Sequence, residues 1–132
     1  MQLLLNSPAQ IFGIAALIAF LFVFVGGGRT LDIQLHSTYI VLHLSVIALG
    51  SALLLGLNAF IYWWLPATTR VPWLTVGHVV LLLVAVFTLL LLAVIFRTLL
   101  TEDSAFAKLQ RIAFRAIGLL LLGQVLGVAN WL

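Results

Sequence analysis

Asp32-Ile33-Gln34-Leu35-His36-Ser37-Thr38-Tyr39-Ile40-Val41-Leu42-His43 is the stretch on which the reading of this chain turns. It holds two of the three histidines and runs straight into an apolar segment that closes at Trp63-Trp64-Leu65-Pro66. From Thr38 to Leu65 polar side chains are few, and the segment exceeds the ~20 residues that a helix needs to cross the hydrocarbon core of a bilayer. The expectation is a membrane-spanning helix over about 38–65 with a polar mouth at its start.

Composition agrees with a membrane setting. Of 132 residues, 65% are hydrophobic and 7% charged, with a mean hydropathy of +1.33. A water-soluble domain usually has about 25% charged residues, so this chain cannot clothe a soluble globule. A formal charge of +3 is too small and too scattered to suggest a nucleic-acid surface. No cysteine occurs, which removes disulfides, thiolate metal sites and covalent haem attachment through a Cys-x-x-Cys-His segment.

Three further spans flank the first. Ser7-Pro8 can start a helix, because serine caps and proline is tolerated at the first helical position, and Gly26-Gly27-Gly28 ends the apolar run. Met1 to Asn6 lacks the basic residue of a signal peptide, so the segment over about 8–26 is expected to be a retained span. Pro66 and Pro72 bracket a turn through Arg70, after which about 73–98 is apolar on every face except at Thr75, His78 and Thr88. The acidic pair Glu102 and Asp103 then precedes a last helix over about 104–131, where acidic groups suit the helix dipole. That helix opens on Lys108, Arg111 and Arg115, continues through Gly123 and Gly127 as a GxxxG packing face, and ends at Trp131 as an interfacial aromatic.

The expected fold class is therefore all-α: one integral membrane four-helix bundle over 1–132, up-down-up-down. Ala48, Ala52 and Gly56 suggest a small-residue stripe for close helix approach, and Asn58 an interhelical hydrogen bond. Arg29, Arg97, Lys108, Arg111 and Arg115 fall on one side and Arg70 alone on the other. The positive-inside rule then predicts loops 27–37 and 97–115 in the cytoplasm and both termini outside, most simply in a cell inner membrane.

Asp32 to Val41 resembles the start of the tenth helix of haem-copper oxidase subunit I, which reads approximately Asp-x-x-Leu-His-Asp-Thr-Tyr-Tyr-Val-Val-Ala-His-Phe-His. The aromatic-Pro exit at Trp63-Trp64-Leu65-Pro66 is similar to the far end of that helix. In the family, the first histidine and the following aspartate lie near a non-redox metal, and the later two histidines bind haem irons. Here His36, Thr38, Tyr39 and Val41 match, but Ser37 replaces the aspartate that a hard cation would want, so no metal site is expected. Leu44 and Val46 occupy the haem-ligand positions, with His43 one residue early and so rotated about 100° around a helix. Oxygen reduction is excluded for this chain alone. The resemblance also implies the opposite orientation to that given by the charges.

No catalytic residues are assigned, because the chain has no phosphate loop, no paired buried carboxylates and no serine with a base. The leading expectation is a non-catalytic membrane protein, a reduced relative of oxidase subunit I, associating with itself or with a larger membrane complex. The alternative is a b-type haem electron carrier using His43, with His36 as the second candidate cofactor-binding residue. His43 and His78 are expected near opposite membrane surfaces and unable to share an iron, and His78 is expected to bond locally near Arg70. His36 is expected to pair loosely with Asp32. A less favoured alternative is a small channel or transporter lined by His43, Ser45, Ser51 and Asn58.

Overall fold

The computed structural model describes residues 7–25, 28–35, 37–66, 70–99 and 103–132. Four long helices dominate: α1 (Pro8–Val25), α2 (Leu44–Trp64), α3 (Pro72–Leu99) and α4 (Asp103–Trp131). All four are long and apolar enough to cross a membrane. Between α1 and α2 the chain forms an antiparallel hairpin, β1 (Thr30–Leu35) and β2 (Thr38–His43).

The hairpin takes up the first residues of the expected second span and adds a small two-stranded sheet to a mostly helical fold. Thr30-Leu31-Asp32-Ile33-Gln34-Leu35 alternates polar and apolar with the period of a strand. Thr38-Tyr39-Ile40-Val41 supplies the β-branched and aromatic residues that suit its partner. Asp32 pairs with Val41 and Thr30 with His43, so Leu31 and Ile33 point to one face together and are buried there. The bond from Leu44 N to Arg29 O, 2.9 Å, carries the pairing to the first residue of α2. β1 lies against α3 and α4, where Leu31 and Ile33 join the core with Leu92, Phe96, Leu109 and Ala113. The hairpin thus closes one end of the helical core.

Ser7 O accepts from Gln10 N and Ile11 N at the start of α1. After α1, Gly28 takes φ 76°, a left-handed turn that favours glycine. Gly26, Gly27, His36, Thr101 and Glu102 lie outside the described residues.

Packing is uneven among the helices. α1 lies chiefly along α2 and α3 chiefly along α4, with thinner contact between the two pairs. The inward face of α2 is Leu44, Ala48, Ser51, Leu55, Asn58 and Tyr62, at alternating steps of four and three. Ala48 of the expected small-residue stripe lies on that face, but nothing approaches Gly56. Steps of four advance 400° on a helix turning 100° per residue, so such a stripe drifts away from the contact line. The two glycines of the α4 GxxxG face do pack: a Cβ at Gly123 would stand 3.4 Å from Leu82 N, and one at Gly127 would stand 2.6 Å from His78 Cε1.

Candidate functional site

The principal polar cluster of the spans gathers where the beginnings of α1 and α3 meet the ends of α2 and α4. Its centre is Tyr62, placed on the inward face of α2 one turn before the Leu65-Pro66 exit. The Tyr62 hydroxyl lies 2.9 Å from His78 Nδ1 on α3. Asn130 on α4 donates from Nδ2 to Tyr62 Oη at 3.0 Å and to Thr75 Oγ1 at 2.9 Å. Its Oδ1 accepts from Val71 N at 2.9 Å, and Thr75 Oγ1 donates to Val71 O at 3.2 Å. Asn130 therefore uses both donors and its acceptor, which sets the orientation of the amide.

The same counting sets the histidine proton. If Tyr62 donates to Nδ1, the phenol hydrogen is satisfied and the imidazole proton sits on Nε2, which is enclosed and has no partner. If Nδ1 donated instead, both the phenol hydrogen and the Nε2 lone pair would be stranded. The first arrangement leaves one orphan rather than two, so the chain of donation runs Asn130 to Tyr62 to His78.

Aromatic side chains wrap this chain of bonds. Phe12 of α1 stacks on Tyr62 at 5.6 Å between centroids and meets His78 at 5.4 Å. Trp131 presents its plane edgewise to Tyr62 at 6.2 Å and to His78 at 5.6 Å. On the outer side, Arg70 places its guanidinium 5.2 Å from the Tyr62 ring centroid and donates from Nη2 to the carbonyls of Tyr62 and Leu65. Those carbonyls belong to the end of α2, where unpaired acceptors and the negative dipole end attract a cation.

The two described histidines do not converge. His78 is fully buried in the cluster and bonded to Tyr62 near Arg70, while His43 stands exposed at the end of β2, opposite Thr30. His43 occupies the N-cap position of α2 with extended backbone and no side-chain cap bond. It was expected inside a helix, and the strand over Thr38–His43 replaces that helical setting. His36 itself lies outside the described residues. Among the described residues Asp32 is bonded by Tyr39, whose hydroxyl donates to Asp32 Oδ2 at 2.7 Å across the hairpin; the expected pairing with His36 lies outside them. The carboxylate raises the Tyr39 pKa above its ordinary value, first through this hydrogen bond and then through desolvation and like-charge repulsion of the phenolate.

The residues expected to line a channel differ in their exposure, with Ser45 half-buried on α2. Ser51 and Asn58 are buried on the inward face of α2, whereas His43 is exposed on the hairpin. Asn58 makes no interhelical bond through its amide nitrogen: Nδ2 donates to Leu54 O of its own helix at 2.8 Å, and Oδ1 is enclosed without a partner. α1, the main neighbour of α2, has no polar side chain after Gln10 to offer it. Among the described residues, no three His, Cys, Asp or Glu side chains gather as a metal site.

Sequence reasoning had marked His78 and Thr75 as polar exceptions but missed Tyr62 and Asn130 as their partners. The signal available was that each stands within one turn of a helix end. Comparison with protein-family models, curated proteins and solved structures finds no match, so the cluster is interpreted from its own chemistry.

Proposed function

We propose that this chain is a non-catalytic integral membrane protein that acts through helix–helix association, with copies of itself or within a larger membrane complex. The observation that carries this reading is how the spans divide their side chains. Tyr62, Thr75, His78 and Asn130 are spent on one another, while the outward surface is apolar at helical spacing. On α2, Val46, Leu49, Leu53, Leu57, Phe60 and Trp64 recur at steps of three or four and are all exposed. Such a seam suits lipid or the seam of another helix.

In this reading the four spans alternate up-down-up-down. Its support is the meeting of Phe12, Tyr62, His78 and Trp131, which stand near the start of α1, the end of α2, the start of α3 and the end of α4. Loops 27–37 and 97–115 face the cytoplasm of a cell inner membrane, because Arg29, Lys108, Arg111 and Arg115 are exposed basic residues on that side. Kinship with a reduced oxidase subunit I is part of the proposal and rests on Asp32 to Val41 and on the Trp63-Trp64-Leu65-Pro66 exit.

Purification in mild detergent, with the mass of the protein in the complex measured by light scattering, tests the association. Multiple copies or a co-purifying membrane protein are expected; a strict monomer with no companion overturns the reading. The competing reading, haem b held by His43, is favoured by the exposure of that imidazole. An absorbance spectrum after expression with ample haem decides between them: a Soret band abolished by His43→Ala would replace association with electron transfer.

A further inference from the structure

Arg70 lines a hollow of about 400 Å³ with Ser7, Gln10, Tyr62 and Trp63, between the start of α1 and the end of α2. A second hollow of about 350 Å³ shares Ala9, Gln10 and Trp63 with it and adds Ala59 and Phe60, one turn further into the span. A polar head at the helix ends thus opens into an apolar groove that descends along α1 and α2. Arg70 is half-buried there, and no carboxylate side chain stands near it. The acidic residues of the chain are Asp32, Glu102 and Asp103. Asp32 is in the hairpin, at the far end of the core, and Asp103 begins α4, whose last turn is the part that reaches Arg70's neighbour Val71. Helix rises 1.5 Å per residue, so about 40 Å separates the two ends of α4.

We infer that this hollow holds the headgroup of an anionic phospholipid, with its phosphate against the Arg70 guanidinium and an acyl chain in the groove beside Ala59, Phe60 and Trp63. Arg70 Nη2 is spent on the carbonyls of Tyr62 and Leu65, but a guanidinium carries five N–H donors. Its charge is not spent either. Two helix starts and two helix ends meet at this level, so their opposed dipoles, about half a unit charge each, offset one another and leave the cation whole. Beside hydrocarbon that charge draws an anion more strongly than it would in water. The planar fork of arginine matches the oxygens of a phosphate. Position decides for a lipid over a free anion. The hollow sits at the helix ends, where headgroups lie, and a free phosphate would leave the groove below it empty. Trp63, exposed on the wall common to both hollows, is the amphipathic residue that suits the boundary between headgroup and chain.

Native mass spectrometry of the full-length protein in a mild neutral detergent tests the site, with phosphatidylglycerol or phosphatidylcholine of matched acyl chains added. Retention of phosphatidylglycerol at roughly tenfold or more the affinity of phosphatidylcholine is expected, the scale of one hydrogen bond to a charged group. Arg70→Gln should erase the preference, but it also removes the cap on α2. Gln10 is exposed and makes a cleaner probe. Gln10→Glu should erase the preference while leaving helicity and thermal midpoint intact, and Gln10→Lys should raise it. Trp63→Ala should weaken retention of both lipids without changing their ratio. Equal retention of the two lipids by the native protein overturns the inference. A preference that Gln10→Glu leaves intact belongs to the Lys108, Arg111 and Arg115 end and overturns it as well. Inorganic phosphate that raises the thermal midpoint as much as phosphatidylglycerol does would make this a free-anion site and overturn the lipid.

Discussion

Tyr62 Oη and His78 Nδ1, 2.9 Å apart, join α2 to α3 through the interior, and Asn130 of α4 donates to the same hydroxyl. One phenol therefore ties together three helices, and Asn130 adds bonds to Thr75 Oγ1 and from Val71 N. Little else polar links the two helix pairs at this end, which makes the bond a direct handle on stability.

Tyr62→Phe strands His78 Nδ1 and one N–H of Asn130. The expected loss is about 1–3 kcal/mol of unfolding free energy. His78→Leu alone should strand the phenol hydrogen, whereas the double variant removes both partners. Denaturation of the four proteins in one detergent should show the double losing less than the two singles combined. Additive losses would mean that the two groups are not bonded.

Glycines on α4 should differ sharply in their tolerance of a methyl group. At Gly127 it would meet the His78 ring at 2.6 Å, whereas nothing lies within 4 Å at Gly118. Gly127→Ala is expected to destabilise by about 1–3 kcal/mol through overpacking. Gly118→Ala should stabilise by about 0.5–1 kcal/mol, because alanine is the better helix former. Thermal midpoints that move together would contradict the packing of α4 on α3.

Asn58→Leu gives the opposite expectation to a usual buried polar substitution. The side chain bonds only its own helix and leaves Oδ1 unpaired, so replacing it removes a stranded acceptor and loses little. Unfolding should be unchanged or harder. A large destabilisation would show that the amide bonds another helix after all.

The hairpin should respond to alkali through Tyr39. Its pKa is raised above the ordinary 10.0 by Asp32, so folding favours the neutral phenol. The contribution is complete below the unfolded value and is lost as pH rises through the folded value. Tyrosinate absorbance of Tyr39, isolated by subtraction of the Tyr39→Phe spectrum, should appear at lower pH in Asp32→Asn. An unmoved titration would refute the hydrogen bond.

The hairpin also shows where a linear reading fails. Thr30 to Leu35 alternates plainly, but β2 passes into α2 with no proline or glycine from Thr38 to Leu49. Apolarity continues across that junction, so length alone suggested one helix and the resemblance to an oxidase helix reinforced it. What divides the run is pairing with β1, a contact between segments.

His78 illustrates the same limit inside the bundle. On a helix apolar all round, no periodicity marks the inward side, and only Tyr62, Asn130 and Gly127 arriving from other helices select it. Local chemistry by itself determined that this chain has four helices long and apolar enough to cross a membrane and roughly where most of them begin and end, because apolar length and backbone breakers act on consecutive residues. Only the tertiary structure decided that Thr38 to His43 pairs as a strand and that Tyr62, His78 and Asn130 share one set of protons. Those outcomes depend on which distant surfaces meet.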